Sequence, residues 1–286
     1  MNFADRMAEA VRAKSSCAIL GVDPQLDSHD TPGVPPRHTL ASFCCEIVEA
    51  CAPHVCAIKP QLAFFEARGI DGMRAFVEVL RTARRLGLIV IADAKRGDIG
   101  STSAAYAQAY LGDGDFGCDA VTVNPYQGAD STMPFIAKVS AGRGVFVLVK
   151  TSNPSSGEFQ DIAADGIAMW ERVAARVHGW GSDFTGASGM SPVGAVLGAT
   201  YPGHARRARI LMPNAFILVP GYGAQGASAI DAVAAARPDG GGIIVNASRS
   251  LMYAYRAAAG KSPGEAASAA ASAMRADLNA ALAARA

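Results

Sequence analysis

The sequence predicts an α/β protein of a single domain, a (β/α)8 TIM barrel, and three observations lead there. Eight short, near-continuously apolar runs recur along the chain, as expected for strands of a parallel sheet covered on both faces. Between them lie stretches whose apolar positions recur at helical spacing. No break in composition divides the 286 residues, a length that α/β barrels commonly reach as one unit. A doubly wound open sheet is the runner-up architecture.

The elements follow in order. The opening "MNFADRMAEAVRAK" carries Asp5 and Glu9 among its apolar positions, which predicts an amphipathic helix over 3–14 and not a signal peptide. Strands are expected in "CAILGVD" (17–23), "VCAIKPQ" (55–61), "GLIVIADAK" (87–95) and "CDAVTVNPY" (118–126). Four more are expected in "VFVLVKTSN" (145–153), "VGAVLGAT" (193–200), "FILVPGYG" (216–223) and "GIIVNASRS" (242–250). "MRAFVEVLRTARRL" and "IAMWERVAARVHGW" are representative of the intervening helices. "HDTPGVPPRH" (29–38) reads as a loop after the first strand, because proline and glycine punctuate it. "GSDFTGASGMSP" (181–192) precedes the sixth strand and so belongs to the opposite, stabilising end of a barrel. The alanine-rich tail predicts a closing helix at about 263–284, since alanine is the strongest helix former.

Half the residues are apolar and 18% are charged, which suits a globular protein with a full core. A net charge of +1 gives no electrostatic case for nucleic acid or for an anionic membrane surface. No apolar run approaches the roughly 18–20 residues that span a bilayer, so a cytoplasmic protein is expected. The six cysteines (17, 44, 45, 51, 56 and 118) form no CxxC pair and sit mostly in apolar surroundings, so reduced, structural thiols are expected. The five histidines show no clustering, and no metal site is expected.

In a parallel barrel, chemistry belongs at the C-terminal ends of the strands. There the first strand ends in Asp23, the second in Lys59, and the third in Asp93 and Lys95 of "DAKRGDIGST". Side chains alternate along a strand, so Asp93 and Lys95 face the same way as Ile89 and Ile91, toward the interior. Ile19 and Gly21 share a face with Asp23, and Val55 and Ala57 with Lys59, so the four charges can converge on one opening. Only six lysines occur in the chain, and three of them, Lys59, Lys95 and Lys150, fall at strand ends. Alternating charges this close keep one another ionised and make a preorganised field. Asp98 lies beyond the strand, in the loop or the first turn of the next helix, where an acidic residue also complements the helix dipole. Thr102 taken alone is an ordinary helix residue.

Loop seven, "PGYGAQGAS" (220–228), is rich in glycine and permits close backbone approach to a ligand. Strand eight runs into "NASRS", which puts Arg249 at or near a helix N-terminus. Loops seven and eight form the recurring phosphate site of such barrels. Arg249 can fork onto two phosphate oxygens, and Gln225 can add a donor. Ser152 and Asn153, at the end of strand five, offer small neutral groups suited to the edge of a polar heterocycle. Residues 154–157 read either as the start of a lid or as a simple turn.

Together these residues resemble the orotidine 5′-phosphate decarboxylase family in its longer bacterial form. The resemblance rests on Asp23 in "GVDPQ", Lys59 in "IKPQ", "DAKRGDIGST", Ser152 in "KTSNP", Gln225 in "PGYGAQG" and Arg249 in "NASRS". It runs from the first strand to the eighth in matching order. It implies decarboxylation of orotidine 5′-monophosphate to UMP and CO2, the last step of de novo UMP synthesis, with no metal or other cofactor. It further implies that Lys59, Asp93, Lys95 and Asp98 form the catalytic charged network, with Lys95 the proton donor to C6 and Asp93 beside the departing carboxylate. Asp23 and Lys59 would hold the ribose, Ser152 the pyrimidine edge, and Gln225 and Arg249 the phosphate. Asp98 and Thr102 would reach into a neighbouring subunit's site, which implies a homodimer with shared active sites. Ser248 stands where short members carry glycine.

Three other readings compete. Metal-dependent 3-keto-gulonate 6-phosphate decarboxylases and hexulose-phosphate synthases also carry DxKxxD, but with an acidic residue at the strand-two end, where Lys59 would repel Mg²⁺. A Schiff-base aldolase would need Lys95 or Lys150 as a nucleophile, whereas flanking carboxylates keep Lys95 protonated. A non-catalytic nucleotide-binding barrel would leave the charged set unexplained.

Overall fold

Eight parallel strands close on one another in the computed structural model, which describes residues 1–27, 33–199, 202–223 and 227–285. They are β1 (Ala18–Val22), β2 (Ala57–Pro60), β3 (Ile89–Arg96), β4 (Ala120–Val123), β5 (Gly144–Lys150), β6 (Ser191–Leu197), β7 (Ala215–Pro220) and β8 (Ile243–Ala247). Each pairs with its neighbours in chain order, and β8 returns to β1 through Ala18↔Val245 and Ile19↔Asn246. The fold is the (β/α)8 barrel that the recurring apolar runs predict. Helices α1 (Phe3–Lys14), α2 (Leu40–Cys51), α3 (Leu62–Glu66), α4 (Gly69–Arg85), α5 (Gly100–Leu111) and α6 (Ala129–Ile136) accompany the first half. Helices α7 (Gly157–Gln160), α8 (Met169–Gly181), α9 (Pro202–Leu211), α10 (Ala229–Ala232), α11 (Arg249–Met252) and α12 (Pro263–Ala283) accompany the second.

Strand alternation sorts the core into two layers. Val90, Val121, Val145, Val147 and Val245 pack outward against the helices. Ile19, Ala57, Ile89, Ile91, Ala120, Phe146, Phe216 and Ile244 fill the interior. Val55, expected on the inner face, precedes β2 and packs in the outer layer. The lower mouth is closed by α1, whose Phe3, Ala4 and Met7 join the interior layer. Phe3 meets Phe146 edge-on, with centroids 6.0 Å apart. A Cβ at Gly144 would stand 2.4 Å from the Phe3 ring, so β5 must begin with glycine for the plug to seat. The 181–192 segment serves this same end, because Asp5 accepts the backbone N–H groups of Ala187 and Ser188. With the bottom plugged, the described residues leave the upper mouth open.

Element boundaries differ from expectation at a few places. The fourth run ends as a strand at Val123, and its "NPY" is loop. The "IA" that opens "IAMWERVAARVHGW" belongs to a small hairpin, Ala163–Ala164 with Ile167–Ala168, and not to the helix. Among the described residues no helix is long and apolar enough to cross a membrane. All six thiols are free. Burial pushes those of Cys17, Cys44, Cys51, Cys56 and Cys118 upward, so they stay protonated.

Candidate active site

A cavity of about 620 Å³ opens at the C-terminal ends of the strands. Sheet register brings its charges together. β1 and β2 run alongside with Gly21 opposite Lys59, and a further bridge sets Gln61 beside Asp93. Asp23, Lys59, Asp93, Lys95, Ser152 and Arg249 all line this cavity.

Asp93 is the hub. Its Oδ2 accepts from Lys59 Nζ at 2.5 Å and from Gln61 Nε2 at 3.0 Å. Its Oδ1 accepts from Lys95 Nζ at 2.5 Å and from the Thr122 hydroxyl at 3.0 Å. Four donors occupy both carboxylate oxygens, as a buried anion requires. The side chains of Lys59 and Asp93 are 5% and 8% exposed, whereas that of Lys95 is 43% exposed. The ammonium of Lys95 therefore has one side on the carboxylate and the other open to a ligand. Burial by itself would push the Asp93 carboxyl up, but the Lys59 and Lys95 charges outweigh it and hold it well below the usual carboxylate range. Burial would likewise lower Lys59, yet Asp93 and then Asp23 reverse this and raise it above the ordinary lysine value.

The backbone at Lys95 departs from regular strand geometry. Its φ is +48°, in the left-handed region that residues other than glycine seldom enter. Between Ala92 and Arg96 the register of β3 against β4 shifts, so the strand is bulged there. The Lys95 N–H donates to Thr122 Oγ1 at 2.9 Å. One threonine hydroxyl thus fixes both the strained backbone of Lys95 and the Asp93 carboxylate. Strain of this kind gathers where a side chain must be aimed.

Asp23 Oδ1 is buried with no hydrogen-bond partner among the described residues, as are Asn246 Oδ1 and Ser248 Oγ. All three residues line the cavity at the β1–β8 seam. Gly21 makes that seam possible, since a Cβ there would lie 2.4 Å from Ser248 Oγ. Arg249 is the first residue of α11 and is exposed.

Two expected site residues stand apart. Asp98 and Thr102 do not line the cavity of their own chain. Asp98 Oδ1 accepts the N–H of Ile99, and Thr102 is exposed on α5. Gln225 lies outside the described residues. Lys150, a strand-end lysine, is buried beside the cavity without lining it, and its Nζ meets Asp161 Oδ1 at 2.7 Å. Thr122, Gln61 and Asn246 escaped the sequence reading. A signal for two of them existed, because Thr122 and Asn246 are polar residues on otherwise apolar inward faces, two beyond Ala120 and Ile244. Among the described residues, no three His, Cys, Asp or Glu side chains gather as metal ligands would.

Comparison with known proteins agrees with this geometry. Residues 26–262 match the family model described as orotidine 5′-phosphate decarboxylase / HUMPS family. An orotidine 5′-phosphate decarboxylase of Rhodopirellula baltica is 43% identical over 271 residues, covering 90% of each chain. One from Deinococcus radiodurans is 42% identical over 282 residues, covering 98% of each. The solved structure of Leishmania donovani OMP decarboxylase superposes with a TM-score of 0.78 at 34% identity, covering 99% of both chains. Geometry and similarity lead to one conclusion: the chain belongs to the orotidine 5′-phosphate decarboxylase / HUMPS family.

Proposed function

We propose that this enzyme, a carbon–carbon lyase, converts orotidine 5′-monophosphate to UMP and CO2 without a metal or other cofactor, as the last step of de novo UMP synthesis. The observation that carries the reading is the buried Asp93 carboxylate gripped at 2.5 Å by two ammonium groups, one of which faces the cavity. The C6 carbanion left by decarboxylation has no conventional delocalisation into the ring. Lys95 supplies a positive charge where that negative charge develops, and in this setting such a charge needs little reorganisation. The C6–carboxylate bond breaks, CO2 departs and the electron pair stays on C6. The Lys95 proton then moves to C6, and solvent restores it. Asp93, held anionic, stands beside the substrate carboxylate, and their repulsion is relieved as CO2 leaves.

The remaining residues bind. Asp23, with its unpartnered oxygen, and Lys59 hold the ribose; Ser152 meets the pyrimidine edge; Arg249, with Gln225, holds the phosphate. Phosphate contacts far from the reacting bond supply binding energy that holds the substrate carboxylate against Asp93. Asp98 and Thr102 complete the site of a neighbouring copy in a cytoplasmic homodimer. Lys59 also separates this reading from the metal-dependent members of the superfamily, which carry an acidic residue at the strand-two end, where a lysine would repel Mg²⁺.

Ultraviolet-monitored turnover of orotidine 5′-monophosphate in EDTA tests the proposal. Loss of the orotate chromophore with stoichiometric UMP is expected, and Lys95→Ala is expected to lose detectable turnover while still binding UMP. Silence with orotidylate, together with Mg²⁺-dependent release of CO2 from a sugar phosphate, would overturn it.

A further inference from the structure

The loop between β1 and α2 begins at Asp23, and its first residues are gripped by side chains from elsewhere. The Asp23 N–H donates to Met252 Sδ at 3.0 Å. Arg68 donates to Pro24 O at 2.9 Å and to Gln25 O at 2.6 Å. The Gln25 N–H donates to the Tyr253 hydroxyl at 2.8 Å, and that hydroxyl donates to Gly33 O at 2.9 Å. One phenol oxygen therefore ties the outgoing stem of the loop to its returning stem. The neck is tight, since a Cβ on Gly33 would stand 1.7 Å from Gln25 O. Tyr253 is 7% exposed, packs against Phe43 at 5.8 Å and lies under the Arg256 guanidinium at 4.1 Å. A hydroxyl so buried is costly unless both its donor and its acceptor capacity are used, and here they are. Burial also pushes the phenol up to about 12, so it keeps its proton throughout the working range.

Tyr253 follows directly on α11, whose first residue is Arg249. The turn that presents the phosphate-side arginine therefore ends in the residues that grip the Asp23 loop, Met252 and Tyr253. We infer that Tyr253 is a positioning residue: by closing the neck between Gln25 and Gly33 it sets Asp23 against Arg249, so that the ribose and phosphate ends of one nucleotide are met together. The inference rests on the proposed roles of Asp23 and Arg249.

The test is a double-mutant cycle. Steady-state kinetics with orotidine 5′-monophosphate are measured for the wild type, Tyr253→Phe, Asp23→Ala and the double variant. Tyr253→Phe removes one oxygen and keeps the ring, and it is expected to raise KM about tenfold while kcat falls less than about threefold. With Asp23 already gone nothing remains to be positioned, so in that background the same change is expected to alter kcat/KM less than about twofold. Gly33→Ala, which opens the neck from its other side, is measured alone and combined with Asp23→Ala, and is expected to show the same pattern. If Asp23→Ala keeps near-wild-type kcat/KM, the role proposed for Asp23 fails. If Asp23→Ala is crippled but Tyr253→Phe and Gly33→Ala each cost as much with Asp23 absent as with it present, the roles at the site stand and the positioning by Tyr253 is overturned.

Discussion

At the scale of single residues, the feature to explain is a carboxylate kept ionised while nearly removed from water. Asp93 manages this because each oxygen receives one ammonium and one neutral donor. Two pH consequences follow. The Asp93 carboxyl is lowered on folding, so its contribution to stability is complete above the unfolded value, ~3.9, and is lost as pH falls toward the folded value. The Lys59 ammonium is raised on folding, so its contribution is complete below the unfolded value, ~10.4, and is lost as pH rises through the folded value. Lys59→Met leaves Asp93 with Lys95 as its only charged partner, and loss of one member of a buried pair costs about 3–5 kcal/mol. Denaturant unfolding of the wild type and of Lys59→Met should show a stability gap that is flat between about pH 5 and 9 and narrows outside that window. A gap that drifts by more than about 1 kcal/mol between pH 6 and 8 would mean that another group, titrating near neutrality, controls the network. Asp93 and Lys95 were legible in the sequence because alternation along a strand is a local rule. Thr122 showed itself only as a polar residue on an apolar inward face; its partner was not legible, since its bonds cross from β4 to β3 and nothing in "AVTV" announces a carboxylate 29 residues back.

At the scale of elements, the chain after β5 shows how a loop becomes part of a site. Lys150 closes the strand, fully buried, and reaches Asp161 just beyond α7. Gln160 accepts the Thr151 N–H at 2.9 Å and donates to the Thr151 hydroxyl at 2.8 Å. These contacts return the segment to its starting point, and Ser152 and Asn153 between them line the cavity. The sequence left 154–157 open between a turn and a lid, and it gave no hint of this clasp, because an ion pair over eleven residues follows no helical or strand period. Lys150→Met fills the same space without a charge and leaves Asp161, half exposed, to water, so the barrel should keep its melting temperature within a few degrees. The loosened clasp should instead raise KM for orotidine 5′-monophosphate by about tenfold, ~1.4 kcal/mol of ground-state binding. An unchanged KM beside a much lower melting temperature would reassign Lys150 to the stability of the barrel.

At the scale of the whole molecule, the barrel, its plugged lower mouth and its open upper mouth explain six of the nine expected site residues, which share one cavity. Asp98 and Thr102, proposed to serve a neighbouring copy's site, do not line that cavity. They sit at the loop before α5 and in its first turn, close in sequence to Lys95 yet outside the cavity that Lys95 lines. A two-fold dimer that apposes the upper faces would send each copy's Asp98 toward its partner's Lys95, because such an interface repeats every contact reciprocally. The consequence can be counted. Lys95→Ala and Asp98→Ala, each inactive or nearly so alone, are mixed under conditions that exchange subunits. Random pairing makes half the dimers mixed, and each mixed dimer holds one site with both residues intact and one lacking both, so about a quarter of wild-type activity should return. Activity that stays at the sum of the two parents, with mixed dimers verified by mass, would place Asp98 in the same chain's chemistry or outside the chemistry altogether. Thr102→Ala extends the argument: if Thr102 also serves the partner's site, its loss should be complemented by Lys95→Ala and not by Asp98→Ala.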